Sequence, residues 1–408
     1  MRKTTIIPRL LALAAALTAC SEGTPADRRV EQARRADQDV VIGVAWPWAA
    51  RKEMRFGDGI DMAVAEVNAT GGVNGRPLRI VRGDDRESAD EGRIIAQQFG
   101  ADPSMVAVIG HLQSFVSVPA AAIYDHGGLV MLAPAATDPA LTAQGYPRVF
   151  RGTFTDKASG RQMAEYAARL GYRRVAIEYV RSAYGRALAN AFEEAAADLK
   201  LTIVTRQSYG AEAVTLDTFE PVVRDWATLD LDAIFLAGEV PSGAWFVRAA
   251  RKHGLTTPIL AGDALGSPAL LEIAGDAANG TVVPSVFHPD EPRAEVQRFT
   301  SAFRQRYGAA PDAGSALGYD AVQVLVAAMR QARSTIPDSV GATLHALRDW
   351  RGVTGPFTFD AAGDVVNKPI VKMVVRAGRF EYLPEEARPT RVAARPTAVT
   401  LAGTSATP

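Results

Sequence analysis

Short apolar runs alternate with stretches of helical length along nearly the whole chain, and this alternation restricts the fold more than any other feature. Val40–Ala45, Leu78–Val81, Val106–Ile109 and Leu129–Leu132 read as strands. Gly59–Ala69, with Ile60, Met62, Ala63, Val64 and Val67 at helical spacing, and Ser88–Phe99 read as helices between them. The alternation resumes with helix Thr155–Leu170, strand Arg174–Tyr179, strand Thr202–Arg206, helix Leu216–Ala227, strand Ala233–Leu236, helix Gly243–His253 and strand Pro258–Ala261. Strands separated by helices of this length pair in parallel, which predicts an α/β fold with helices on both faces of each sheet. At 408 residues the chain has room for two such units. Arg174–Ala261 reads as a second copy of the first architecture, without a repeat in the sequence itself. Helices are expected over Val296–Tyr307, Ser315–Ala332 and Ser339–Arg348, and a closing strand over Pro369–Arg376.

In an open α/β sheet, ligands bind at the carboxyl ends of the strands. Two such ends fall within Val106–Arg151. Gly110 ends one strand, and Ser114 opens a helix that runs through Tyr124. The next strand leads into the small-residue turn Ala133-Pro134-Ala135-Ala136-Thr137-Asp138-Pro139. Ser114 is expected as an N-cap beside free amides, an arrangement that holds a carboxylate without a cation. The competing reading is that Ser114 and Thr137 only cap a helix and a turn. Trp46-Pro47-Trp48 follows the first strand, where the rings either pack in the core or wall a cleft. Asp84-Asp85 follow the second strand and read as caps, because no His, Cys or further acid recurs at ligand spacing. Tyr184, Glu239 and Asp263 each follow a strand of the second unit.

Other chemistry lacks its signature. Lys+Arg and Asp+Glu both number 45, so no basic surplus argues for nucleic acid. No GxSxG elbow surrounds Ser114, and His111 has no evident base–acid partner in the sequence. No Walker lysine loop or GxGxxG follows a strand, and the five histidines are scattered. Neither catalysis, nor a metal, nor a cofactor is expected.

Gly110-His111-Leu112-Gln113-Ser114, Ile123-Tyr124, Ala133 to Pro139, Leu141-Thr142 and Phe150-Arg151 resemble the periplasmic binding proteins for branched-chain amino acids, type I solute receptors of ABC importers. Gly59-Ile60-Asp61, Val64 to Asn68, Gly71 to Gly75, Gly318 to Ala321, Gly355 to Asp360 and Gly363-Asp364 extend the resemblance to roughly Val40–Tyr382. It implies a type I periplasmic-binding-protein fold: two doubly wound parallel-sheet lobes joined by three crossings. The expected bounds are 40–153 plus 285–355 for lobe I and 154–284 plus 356–383 for lobe II. A small solute, an amino acid or a relative of one, would bind between them and draw them closed. Ser114, Thr137 and the backbone of Ala135 would hold a carboxylate, and Tyr184 and Asp263 an ammonium. Trp48 would border the side chain. Glu239 departs from the aromatic residue of many relatives. It is either a solvated loop acid or a second acid in the cleft that admits a more polar or cationic ligand. The resemblance further implies ABC permease and ATPase partners. A ligand sensor in the envelope is the alternative.

The ends of the chain read differently. Residues 1–19 have a basic start and a short apolar core, Leu10–Leu17, and Leu17-Thr18-Ala19-Cys20 resembles a bacterial lipobox. Cys20, the one cysteine, is the expected lipidation site, which would anchor an extracytoplasmic protein to a membrane face. Residues 20–39 read as a flexible tether and 384–408 as a disordered tail.

Overall fold

The computed structural model describes residues 24–384, apart from 36, 211 and 213. The signal segment, Cys20 and nearly all of the C-terminal tail lie outside the described residues.

In chain order the elements are α1 (Pro25–Ala33), β1 (Val40–Trp46), α2 (Phe56–Ala69), β2 (Leu78–Asp84), α3 (Ala89–Ala101), β3 (Met105–Gly110), α4 (Ser114–His126), β4 (Val130–Ala133) and β5 (Val149–Arg151). The second lobe follows with α5 (Asp156–Arg169), β6 (Arg174–Val180), α6 (Ala183–Asp198), β7 (Thr202–Tyr209), α7 (Glu220–Trp226), β8 (Ala233–Ala237), α8 (Ser242–Lys252), β9 (Ile259–Ala261), α9 (Pro268–Ala274) and β10 (Val282–Ser285). Then come α10 (Ala294–Tyr307), α11 (Ala313–Ala332), α12 (Pro337–Ala346), the short hairpin β11 (Trp350–Gly352) and β12 (Gly355–Phe357), and finally β13 (Val371–Arg376) and β14 (Arg379–Leu383).

The first sheet is parallel throughout, in the order β2-β1-β3-β4-β5. Its inner strands β1, β3 and β4 are apolar on both faces because both faces are covered, whereas the edge strand β2 carries Arg79, Arg82 and Asp84. Along β1, Val40, Ile42, Val44 and Trp46 enter one core, while Val41 and Ala45 enter the other. The second sheet runs β14-β13-β10-β9-β8-β6-β7. Five of its strands are parallel, but β13 and β14 are antiparallel, a departure from the parallel expectation. The cause is topological. The chain leaves the second lobe at the carboxyl end of β10 and returns at the same edge, so β13 must run the opposite way, with Val371 beside Ser285.

Close backbone contact joins α2 to α11. A Cβ on Gly59 would stand 1.9 Å from the Ser315 carbonyl oxygen, and one on Gly318 would stand 2.5 Å from that of Phe56. These two glycines belong to the stretches singled out in the sequence.

Two boundaries differ from expectation. Residues 25–33 form a helix rather than a tether. Thr24 caps it, and Arg29 is fully buried in lobe I. Its guanidinium donates to the carbonyls of Met105 (2.6 Å), Gly100 (2.8 Å), Asp102 (3.0 Å) and Gly127. Burial pulls its pKa down to about 10, which leaves it charged at neutral pH. Polar composition concealed this, because one arginine satisfied by carbonyls replaces the usual apolar stripe. The last crossing also lies later than Gly355. Phe357, Phe359, Val365 and Ile370 pack in the first lobe's core, and the chain enters the second sheet only at Val371. Among the described residues, no helix is long and apolar enough to cross a membrane.

Candidate functional site

The carboxyl ends of both sheets face one cavity, which encloses about 930 Å³ including its open mouth. Ser114, Ala135 and Thr137 line it from lobe I, and Tyr184, Glu239 and Asp263 from lobe II. The structure thus brings together six of the seven candidate residues from sequence positions far apart.

Trp48 is the exception. Its indole N–H donates to the Gly83 carbonyl (3.0 Å) and Arg82 lies 4.9 Å from its ring centroid, which holds it toward β2. It is not among the residues that line the cavity. Trp46 stacks on Phe56 within the core, with centroids 3.7 Å apart. Met54, Leu112, Phe154, Val240 and Leu317 form the apolar wall instead.

Ser114 is the first residue of α4, and the N-cap position belongs to Gln113, which corrects the expectation. The Ser114 hydroxyl accepts from the Asp138 N–H (3.3 Å), tying the two hydroxyl-bearing turns together. Intrahelical bonding starts at the Val116 N–H, so the amides of Ser114 and Phe115 stand at the positive end of the helix. Gly110 has φ +152, and a Cβ there would stand 2.4 Å from the Ala45 carbonyl oxygen. Behind this turn, His111 Nδ1 lies 2.6 Å from Asp85 Oδ2 and its Nε2 lies 3.1 Å from the Tyr124 hydroxyl. The histidine therefore does have an acid partner, one that sequence reading missed. The ring has zero exposure, so the set is a buried brace for residues 112–114 and offers no surface to a substrate.

In lobe II the Tyr184 hydroxyl donates to Asp263 Oδ1 (3.0 Å) and accepts from the Ala264 N–H (3.3 Å). Burial pushes the Asp263 carboxyl up to about 6, and the Tyr184 bond holds it down in part. Asp156, at the start of α5, is wholly buried beside the Thr137 hydroxyl and Asp263. Burial first, then the charge of Asp263, raises its pKa well above the usual carboxylate range. Glu239 is raised by burial, with Arg51 opposing. This wall presents two acids to the cavity, Asp263 and Glu239, with Asp156 buried behind them, and hydroxyls and helix amides stand on the opposite wall.

Sequence reading also missed Arg51, Gln113, Thr153 and Ser285, all of which line the cavity. Each sits in or beside a strand-end loop, where polar residues are common, so no local signal separates them. Among the described residues, no cluster of His, Cys, Asp or Glu is arranged to hold a metal.

The periplasmic binding protein family model matches residues 40–379 of this chain. The chain belongs to the periplasmic binding protein family. Among its relatives is the Leu/Ile/Val-binding protein homolog 2 of Brucella abortus, 31% identical over 350 residues that cover 83% of this chain and 91% of that protein. The fold is similar to an ABC transporter substrate-binding protein from Desulfitobacterium hafniense solved in complex with Leu, at 40% identity and a TM-score of 0.77, covering 85% of this chain and 100% of that one. It is also similar to a branched-chain amino acid transporter substrate binding protein from Streptococcus pneumoniae in complex with isoleucine, at 26% identity and a TM-score of 0.77, covering 84% and 98%. The two-lobed α/β architecture read from the alternation is the architecture of this family.

Proposed function

We propose that the protein is the solute-binding lipoprotein of an ABC importer, anchored outside the cytoplasm through Cys20, and that it takes up an amino acid or a similar small polar solute by closing its lobes. The observation that carries this reading is the cavity between the sheets. It has uncharged carboxylate binders on one wall and acids on the other, the complement of a zwitterion. Ser114, Thr137 and the Ala135 backbone hold the carboxylate with neutral donors and the α4 dipole. Asp263 and Tyr184 hold the ammonium, where a charge-assisted bond is the stronger kind. Closure of the lobes buries both ends and excludes water, a hinge motion about the three crossings. The leucine and isoleucine complexes of the similar proteins support an amino-acid ligand.

A thermal-shift screen of the soluble body against amino acids tests the reading. A ligand that binds only the folded state raises the melting temperature with its concentration. Thr137→Ala combined with Asp263→Ala removes one contact at each end and should abolish that rise. Undiminished binding by the double variant would refute the site. Cys20→Ala should move the protein from the membrane fraction to the soluble fraction.

A further inference from the structure

Strand order defines an axis along the cleft. In lobe I, Thr137 and Thr153 follow β4 and β5, beside the crossings, whereas Arg51 and Glu87 follow β1 and β2 toward the opposite edge. In lobe II, Asp263 follows β9 and Glu239 follows β8, each one strand further from the β10 crossing. Thr137 and Asp263 therefore stand at the inner part of the cavity; Ser114, after β3, lies between them and the outer end, and Tyr184, on α6 after β6, reaches back to Asp263 (3.0 Å). Arg51, Gln113 and Glu239 gather at the outer part, where the side chain of an amino acid would extend.

The groups at that outer end are charged. Arg51 Nε donates to Glu87 Oε1 (2.5 Å), and the same oxygen accepts from Gln113 Nε2 (2.9 Å). A second Arg51 nitrogen reaches across the cleft to the Val240 carbonyl (3.5 Å). Arg51 is thus matched in charge within its own lobe by Glu87. Glu239 faces the cavity beside the Ser182 hydroxyl, and with Glu87 and Glu53 (4.0 Å) already on Arg51 this end carries more carboxylates than cations. An aliphatic tail would desolvate Glu239 and give it no partner, which is costly. A tail that donates hydrogen bonds would satisfy it.

We infer that Glu239, set against Arg51, reads the end of the ligand's side chain, and that the preferred solute is an α-amino acid whose side chain ends in a hydrogen-bond donor, an amide or a cation. This rests on the solute-receptor reading above and names the ligand class for the same cavity. Because Arg51 also joins the lobes at this point, tail recognition and closure share one group.

Isothermal titration of the mature protein with glutamine, arginine, leucine and norleucine tests the inference, repeated on Glu239→Gln and Glu239→Leu. Circular dichroism checks the fold of each variant. The expected result is that glutamine or arginine binds at least about tenfold tighter than leucine to the wild type. Glu239→Leu reverses that order, and Glu239→Gln weakens arginine more than glutamine. Leucine or norleucine binding tightest to the wild type, with its affinity not improved by Glu239→Leu, overturns the inference and leaves the receptor reading intact. Binding of none of the four overturns the inference, and the receptor reading is then decided by the wider thermal-shift screen.

Discussion

Arg151 Nε stands 2.7 Å from Asp364 Oδ1, across 213 residues of chain. The guanidinium has no exposure, and it also donates to the Ala136 carbonyl (2.7 Å) and the Thr142 hydroxyl (3.1 Å). Thr142 in turn donates to the same Asp364 oxygen (2.8 Å). The turn that carries Ala135 and Thr137 is therefore gripped from behind by a segment that follows the last helix of lobe I. Arg151→Met leaves Asp364 without its cation and the Ala136 carbonyl without this donor, and should cost about 3 kcal/mol of stability. Asp364→Asn keeps the shape and should cost less. Urea denaturation measures both, and ligand affinity should fall in the same order.

Ligand affinity should depend on pH through Asp263. Burial raises its pKa to about 6, and an ammonium ligand favours its ionised form. Affinity should be steady above that pH and fall by up to about tenfold for each unit below it. The neighbouring Asp156, held above the usual carboxylate range by burial and by the charge of Asp263, should release a proton where an ammonium ligand favours its ionised form. Titration in buffers of different ionisation enthalpy measures that proton, and Asp156→Asn should remove it.

Glu178 lies in β6, buried in the second lobe, with Oε2 unpartnered. Burial raises its pKa from 4.5 to about 8. Between those values the folded state binds more protons than the unfolded chain, so this group makes stability fall as pH rises from about 4.5 to 8. Glu178→Gln should flatten that slope and raise the melting temperature at pH 8 more than at pH 5. Melting curves across that range check the sign.

The crossing of α2 and α11 depends on the missing side chains of Gly59 and Gly318. Gly59→Ala places a methyl group against the backbone oxygen of Ser315, which cannot move away without displacing α11. The loss should be about 1–3 kcal/mol, and larger for Gly59→Val. Denaturant midpoints at an unchanged m-value would confirm a stability effect.

Arg29→Met should undock α1 and leave the cavity as it is. It removes the guanidinium's donations to the carbonyls of Gly100, Asp102, Met105 and Gly127 at once. Limited proteolysis should then cut within residues 25–33, which resist in the parent. Ligand affinity should be unchanged, because the docking site lies at the amino ends of β3 and β4, opposite the cleft.

The sequence by itself determined the order of strands and helices, the two-lobed α/β class and six residues of the cavity. Strands buried on both faces must be apolar throughout, helices between them must repeat near 3.6, and sites in such sheets lie at strand ends. Phe150-Arg151 and Gly363-Asp364 were visible as family residues, yet nothing local showed that Arg151 and Asp364 form one ion pair. Only the tertiary structure decided that Trp48 turns toward Gly83 and Arg82 and that Arg51 reaches Val240 across the cleft. It also decided that a polar segment docks through Arg29 and that the last crossing waits until Val371. Each of these depends on a partner more than thirty residues away or on the edge at which the chain re-enters a sheet. Local periodicity carries no information about either.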